Sequence, residues 1–306
     1  MHGIKIAEQK SGLSAHVIRM WEKRYNAVTP ARTDTNRRLY DDSCILRLKR
    51  LAHLTHNGHS IGQIAYHDDA TLSKLVEESA TPAPSVVQLA PQYKDIVEEL
   101  VQAITEYSKE RHDTILTQAV KQWGYSGMLE NILIPYIQEV GQLWQQGSFT
   151  TAQEHASTSF IKEFLTLSSQ SFGHEATAPK LVVTTPPGQL HELGAVIASS
   201  LARKLGWNVI YLGPSTPMDE LAGACEAMNA RAVLLSIIYP LDDPFMDKHL
   251  QTLHQQLDRN IPIIVGSPDA PHYKPSIDAL GLHHLHSMQD LQNLLSELRQ
   301  QPLLSR

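Results

Sequence analysis

The sequence predicts a multidomain chain of mixed α and α/β class: a small basic helix-turn-helix head, a four-helix bundle, and a C-terminal parallel sheet. Three observations carry this. The chain has 306 residues, room for two or three compact domains. Basic charge gathers at one end: residues 1–75 hold 12 Lys+Arg against 7 Asp+Glu, a balance of +5, while the remainder carries −11. Near residue 180 the apolar rhythm changes from helical spacing to short β-branched runs.

Composition narrows the class further. Hydrophobic residues make up 42% and charged residues 19%, which excludes long disorder. No window approaches the ~20 apolar residues of a membrane helix, so no membrane partner is expected. Residues 1–10 lack the pattern of a secretory signal. The two cysteines, Cys44 and Cys225, lie far apart in unrelated contexts. They argue against a disulfide framework and suit a cytoplasmic location.

The head is expected over residues 1–75. Ile4, Ile6 and Ala7 begin an apolar face, and Ser11-Gly12-Leu13-Ser14 makes a turn. Ser14 is a suitable N-cap for a helix through Val17, Ile18 and Trp21, which carries Arg19, Lys23 and Arg24. A short loop with Arg32, Arg37 and Arg38 follows and ends at Tyr40. Helix plus basic loop suggests a winged helix-turn-helix, with the helix in the major groove and the wing on the phosphates. A basic solvated surface is the plainer reading of the charge alone.

Residues 76–93 read as a linker, because Glu77–Ser85 combine Ser, Thr, Pro82 and Pro84 with no apolar period. Residues 94–172 follow with four amphipathic stripes. These run through Ile96–Ile104, Ile115–Trp123, Met128–Val140 and Phe160–Leu167, with a break at Gly124, Ser126 and Gly127. A four-helix bundle is the economical solution. From 179 to 306, apolar runs at 181–184, 209–212, 233–238 and 261–265 alternate with helical stretches near 190–205, 217–229, 244–258 and 289–300. That alternation means a parallel sheet covered on both faces, with ligands bound at the carboxyl ends of its strands. His191 falls in the first strand-to-helix loop, at that edge. One histidine among 16 is ordinarily a surface or satisfied residue.

Three sets of residues then resemble known families. Ile18 to Tyr25, Pro30-Ala31-Arg32, and Arg37-Arg38-Leu39-Tyr40 resemble the MerR family of transcription regulators, as does Gly58 to Ile64 further on. The resemblance implies binding to a double-stranded DNA operator as a dimer or higher oligomer. It brings Ser14, Arg19, Trp21, Arg24, Arg32, Arg37, Arg38 and Tyr40 forward as DNA-binding candidates. His191-Glu192-Leu193-Gly194 after a strand resembles the Asp/Glu-x-His-x-x-Gly motif of Rossmann-like cobalamin-binding domains. In that family the His is the lower ligand of the cobalt, so His191 is the metal-ligating candidate. Gly194, Ser236 and Gly266 match further family positions. Gln189 stands where the family has an acid, and Ser267 where it has a second glycine. A carboxylate behind a metal-bound His strengthens it; a Gln carbonyl accepts the ring N–H without charge.

Trp144, followed after nine residues by Glu154-His155, resembles the Trp-x9-Glu-His motif of CarH/LitR-type light-sensing MerR regulators. In these the bundle caps the upper face of adenosylcobalamin, which makes Trp144, Thr151, Glu154 and His155 cofactor-binding candidates. Gln145 replaces the His that takes the upper cobalt position in the best-known members. The domain order agrees over nearly the whole chain. The resemblance implies a light-responsive repressor, not an enzyme. Two other readings stand beside it. One is a MerR-type regulator whose sensor is degenerate or takes another tetrapyrrole or a protein. The other is a cobalamin-dependent enzyme or corrinoid carrier protein, against which the DNA-binding head argues.

Overall fold

The computed structural model describes residues 1–33, 37–56, 61–79, 90–145, 149–238, 243, 245–267 and 273–300. It forms two compact units, Met1–Pro82 and Ala83–Arg306.

The first unit is helical with a small wing. Helix α1 (Ile4–Ser11) ends where Gly12 takes φ 76°, the left-handed turn the sequence signals with Ser-Gly. Ser14 then caps α2 (Ala15–Tyr25), its hydroxyl accepting the Val17 N–H at 3.3 Å. Strands β1 (Ala31–Arg32) and β2 (Arg38–Leu39) pair antiparallel to make the wing. Asp41 precedes α3 (Asp42–His56) and accepts from the Cys44 N–H and the Ser43 hydroxyl, both at 2.7 Å. Those donors pull its carboxyl down to about 2. The short α4 (Ile61–Ile64) and α5 (Asp69–Ser79) complete the unit. Half-buried Arg47 stitches it together, donating to the carbonyls of Ala27, Ala65 and His67 and to Asp69 at 2.6–2.8 Å. The core includes Ile18, Leu48, Leu51, Leu54 and Leu72.

Helix α5 continues through Glu77 and Glu78 to Ser79, into the stretch read as linker. Residues 91–93 of that stretch are also helical, being the start of the next helix; 80–89 lie outside the described residues, as do Asp34–Asn36, Gly58–Ser60, Gln146–Ser148 and Pro268.

In the second unit, four helical rods form the bundle: α6 (Pro91–Thr105), α7 (Lys109–Met128), a π-turn (Leu129–Leu133) continuing as α8 (Ile134–Gln145), and α9 (Thr151–Gln170). Of the three residues expected to break the chain, Gly124 does so, with φ 71° and ψ 169°. Ser126 and Gly127 lie within helix that resumes at once. Thr150 caps α9 through a reciprocal pair with Gln153.

The sheet follows. Its elements are β3 (Lys180–Thr184), α10 (Leu193–Lys204), β4 (Asn208–Tyr211), α11 (Met218–Ala227), β5 (Ala232–Ser236), α12 (Met246–Gln256), β6 (Ile263–Gly266), α13 (Lys274–Ala279), β7 (His283–Leu285) and α14 (Met288–Gln300). All strands are parallel, in the order β4-β3-β5-β6-β7. Four strands match the expected runs; β7 and the short α13 do not follow from the apolar pattern. One face, with Val183, Leu234 and Ile264, packs on α10 and α14, and that core is continuous with the bundle. The other face, with Val182, Val233 and Val265, packs on α11, α12 and α13. Bundle and sheet are thus layers of one unit.

Candidate functional site

The loop between β3 and α10 carries His191 at the carboxyl edge of the sheet. It is braced from both sides. The Thr185 hydroxyl donates to the Gln189 carbonyl at 2.5 Å and accepts the Ser215 N–H at 2.8 Å. The Gly188 N–H donates to the Ser215 hydroxyl at 3.0 Å, and the Thr184 hydroxyl donates to the Gly213 carbonyl at 2.7 Å. Gln189 is fully buried beneath the loop, and His191 is half-buried above it.

Just beyond, Gly194 opens the first turn of α10 against β5. A Cβ there would stand 2.6 Å from the Ser236 hydroxyl and 3.3 Å from Ile238 Cδ1. Ser236 pairs in register with Gly266. Alternation along the strands puts Ser236 and Gly266 on the face of Leu234 and Ile264, which α10 and α14 cover. Gly194, Ser236 and Gly266 therefore converge on one slot. Ser267, expected beside Gly266, lies by the same alternation on the opposite face. It is 2% exposed, and its hydroxyl has no hydrogen-bond partner among the described residues.

The bundle reaches this edge through a clamp. Glu192 accepts from Lys162 Nζ of α9 at 2.5 Å and from the Tyr211 hydroxyl of β4 at 2.5 Å. Burial, then the hydrogen bond to Glu192 and its charge, push the Tyr211 phenol far above its usual range. Deeper in, the buried Tyr125 hydroxyl bonds to Ser200 of α10 and lies 3.1 Å from the Ser168 hydroxyl of α9. Two turns before Lys162 on α9, Glu154 sits 2.7 Å from His155 Nδ1 and accepts the Thr158 hydroxyl at 3.0 Å. Trp144, in the last turn of α8, is half-buried against the bundle core. The side chains of Gln145 and Thr151 lie outside the described residues.

On the first unit, Arg19, Lys23, Arg24 and Arg37 are exposed on α2 and the wing. Glu22 of α2 takes Arg38 Nε at 2.6 Å, and an Arg32 nitrogen lies 3.6 Å from its other oxygen. The bond to Glu22 holds the Arg38 guanidinium above its usual range. These pairs fix the wing against α2.

The comparisons with known proteins follow the same division. Residues 4–68 match the model of the MerR HTH family regulatory protein, and residues 96–167 and 179–276 match two models of the B12 binding domain. The chain is 28% identical over 293 residues to the HTH-type transcriptional repressor CarH of Myxococcus xanthus, covering 95% of this chain and 97% of that one. It is 21% identical over 299 residues to the repressor CarA of the same organism, covering 97% and 96%. Among solved structures, the monomethylamine corrinoid protein of Methanosarcina barkeri shares the fold of two thirds of this chain. Its TM-score is 0.53 at 14% identity, over 67% of this chain and 99% of that one.

The chain is a MerR-type regulator that carries B12-binding domains.

The regulator's own residues fit a corrinoid on structural grounds. His191 supplies an imidazole of the kind cobalt accepts, on a loop held by four hydrogen bonds at the sheet edge. The slot at Gly194 is one that any side chain would fill. Among the described residues no helix is long and apolar enough to cross a membrane.

Two DNA-binding candidates of the regulator are corrected. Trp21 is 5% exposed and Tyr40 is fully buried, both in the core of the first unit. The Tyr40 backbone pairs with His2, at 2.6 and 2.8 Å, so the end of the wing is anchored to the N-terminus. Neither ring faces solvent. Sequence reasoning also missed Lys162 and Tyr211. Their link to Glu192 joins three separate elements, and nothing local marks either of them.

Proposed function

We propose that this regulator is a cytoplasmic repressor that binds adenosylcobalamin and releases its operator in light. The observation that carries the reading is the slot of Gly194, Ser236 and Gly266 beneath a braced His191, in a chain that begins with a DNA-facing head. The match to two repressors over nearly the whole length supports the sense of the regulation.

His191 would offer its imidazole to the cobalt, and the slot would hold the nucleotide part of the cofactor. Gln189, buried under the loop, orients that imidazole without adding charge. Trp144 would pack on the cofactor from the bundle side, and Glu154 and His155 would hydrogen-bond its adenosyl group; Thr151 stands with them on the family resemblance alone. When bound, adenosylcobalamin supplies a cobalt–carbon bond that light breaks. Lys162 and Glu192 tie α9 to the His191 loop, so bundle and sheet hold the group between them. A ligand that binds the assembled state more tightly shifts the protein towards that state, here a dimer or tetramer competent for DNA. On the head, Arg19, Arg24 and Arg37 contact phosphates, Ser14 lies at the α2 N-terminus beside them, and Arg32 and Arg38 hold the wing in place.

The test is the absorption spectrum and operator retention of protein loaded with adenosylcobalamin in the dark, then exposed to green light. A corrinoid spectrum that light changes, together with DNA release, supports the reading. An unchanged spectrum and unchanged retention reject it.

A further inference from the structure

On the outer side of α10, away from the slot, a cleft of about 550 Å³ opens between α9, α10 and the edge strand β4. Helical spacing brings Lys162 and Thr166 to one face of α9, and Val196, Ser199 and Arg203 to one face of α10. Val209, Ile210 and Tyr211 of β4 close the third side.

The polar groups here are unevenly satisfied. Lys162 and Tyr211 are engaged with Glu192. Arg203 has no carboxylate within ion-pair distance among the described residues, and burial pulls its guanidinium below the usual range. Ser199 is 1% exposed, and its hydroxyl has no hydrogen-bond partner among the described residues. A half-buried cation and a buried hydroxyl left in this way cost free energy that a ligand with matching acceptors recovers. The remaining side-chain walls, Val196 and Val209, are apolar.

We infer that this cleft is a second ligand site, for a small monocarboxylate with a short hydrocarbon body. The guanidinium fork of Arg203 takes the two carboxylate oxygens, Ser199 donates its proton to one of them, and the hydrocarbon lies against Val196 and Val209. One negative charge balances the one unpaired cation. A phosphate dianion would leave a charge uncompensated, because Lys162 is already neutralised by Glu192.

The site does not depend on the cobalamin reading, so the experiment uses the full chain without cobalamin. Sodium butyrate, butyramide and inorganic phosphate are titrated calorimetrically into wild type, Arg203→Gln and Val209→Phe. Butyrate should bind wild type, with butyramide and phosphate each at least about tenfold weaker, the ratio expected for a lost charge-assisted pair. Arg203→Gln should weaken butyrate about tenfold, and Val209→Phe should abolish binding by filling the cleft. Circular dichroism checks that both variants fold; where Arg203→Gln does not, the butyrate–butyramide ratio and Val209→Phe decide. Absence of butyrate binding to wild type, equal binding by the folded variants, or tighter binding of phosphate overturns the proposal.

Discussion

Gly194 and Ser236 meet so closely that the absent Cβ of Gly194 would stand 2.6 Å from the Ser236 hydroxyl. Ser236 is 3% exposed and sits on a central strand, so it has little room to yield. A methyl group at 194 must push α10 off β5 or turn Ser236 away. Gly194→Ala should therefore lower stability by about 1–3 kcal/mol, the usual cost of overpacking a core contact. It should also weaken cobalamin binding by more than about tenfold, since 1.4 kcal/mol is a factor of ten. Urea unfolding and equilibrium titration with cobalamin measure the two effects. Unchanged affinity in a destabilised variant would move the nucleotide slot elsewhere.

His191→Ala should fold normally, because the loop is braced by Thr184, Thr185, Gly188 and Ser215 rather than by the imidazole. Cobalamin added to the variant should give the spectrum of a form without protein imidazole, with reduced affinity. If spectrum and affinity both match wild type, His191 does not ligate cobalt.

What the sequence displayed well were features set by neighbours along the chain. Ser14 as a cap, Gly12 as a left-handed turn, and the four helical stripes depend on local spacing, and the structure has each of them. What it displayed poorly is decided by distant partners. Strand β7 reads His-His-Leu and carries no apolar run; it is a strand because Ile264, Val265 and Gly266 of β6 pair with it. Trp21 and Tyr40 stand among arginines in a basic stretch, which reads as a DNA face, yet packing turns both inward. The Lys162–Glu192 clamp spans 30 residues and has no sequence signature. In the candidate site the strand-to-helix position of His191 was legible, whereas the contact of Gly194 with Ser236 and the hydrogen bonds that hold the loop are set by distant partners.

The two neighbouring wing arginines should behave differently. Arg37 is exposed, and Arg38 is bound to Glu22. Arg37→Ala should weaken binding to all DNA sequences and flatten the salt dependence by roughly one unit of slope. Arg38→Ala should release the wing from α2, lowering affinity while changing the slope less. Fluorescence anisotropy over a series of salt concentrations separates them. Full retention of the salt slope in Arg37→Ala would remove Arg37 from the backbone contacts.

His112 supplies a pH dependence. It is fully buried in the bundle against Tyr136 and Phe160, with Nδ1 3.4 Å from Asp113 and Nε2 unpartnered among the described residues. Burial lowers its pKa, opposed by Asp113 and reinforced by Lys109. The folded state therefore holds the neutral ring, and the unfolded chain binds the proton first. This contribution is complete above the unfolded value of about 6.5 and is lost as pH falls below it, by at most about 1.4 kcal/mol per unit. His112→Leu should lose less stability than wild type between pH 7.5 and 5.5. Parallel urea curves for the two proteins over that range would contradict the assignment.

Trp144 tests the proposed cofactor contact of the bundle. Its ring closes the last turn of α8, half-buried against the bundle core, and the Thr150–Gln153 cap fixes where α9 begins, next to Glu154 and His155. The indole offers a broad apolar face that packs on an adenosyl group and excludes a competing upper ligand. Trp144→Ala leaves the His191 loop untouched, so the variant should still bind cobalamin through its lower side. It should lose its preference for the adenosyl form over forms with a small upper ligand. Assembly driven by adenosylcobalamin should weaken with it, because only the difference in affinity between assembled and free states drives assembly. Size-exclusion chromatography with adenosylcobalamin, in darkness and after green light, reads this directly. Wild type should elute as a larger species in the dark and a smaller one after light, while Trp144→Ala should elute small in both. A wild type whose size and DNA affinity ignore light would leave a DNA-binding regulator without a photoreceptor, and Trp144 as a packing residue of the bundle.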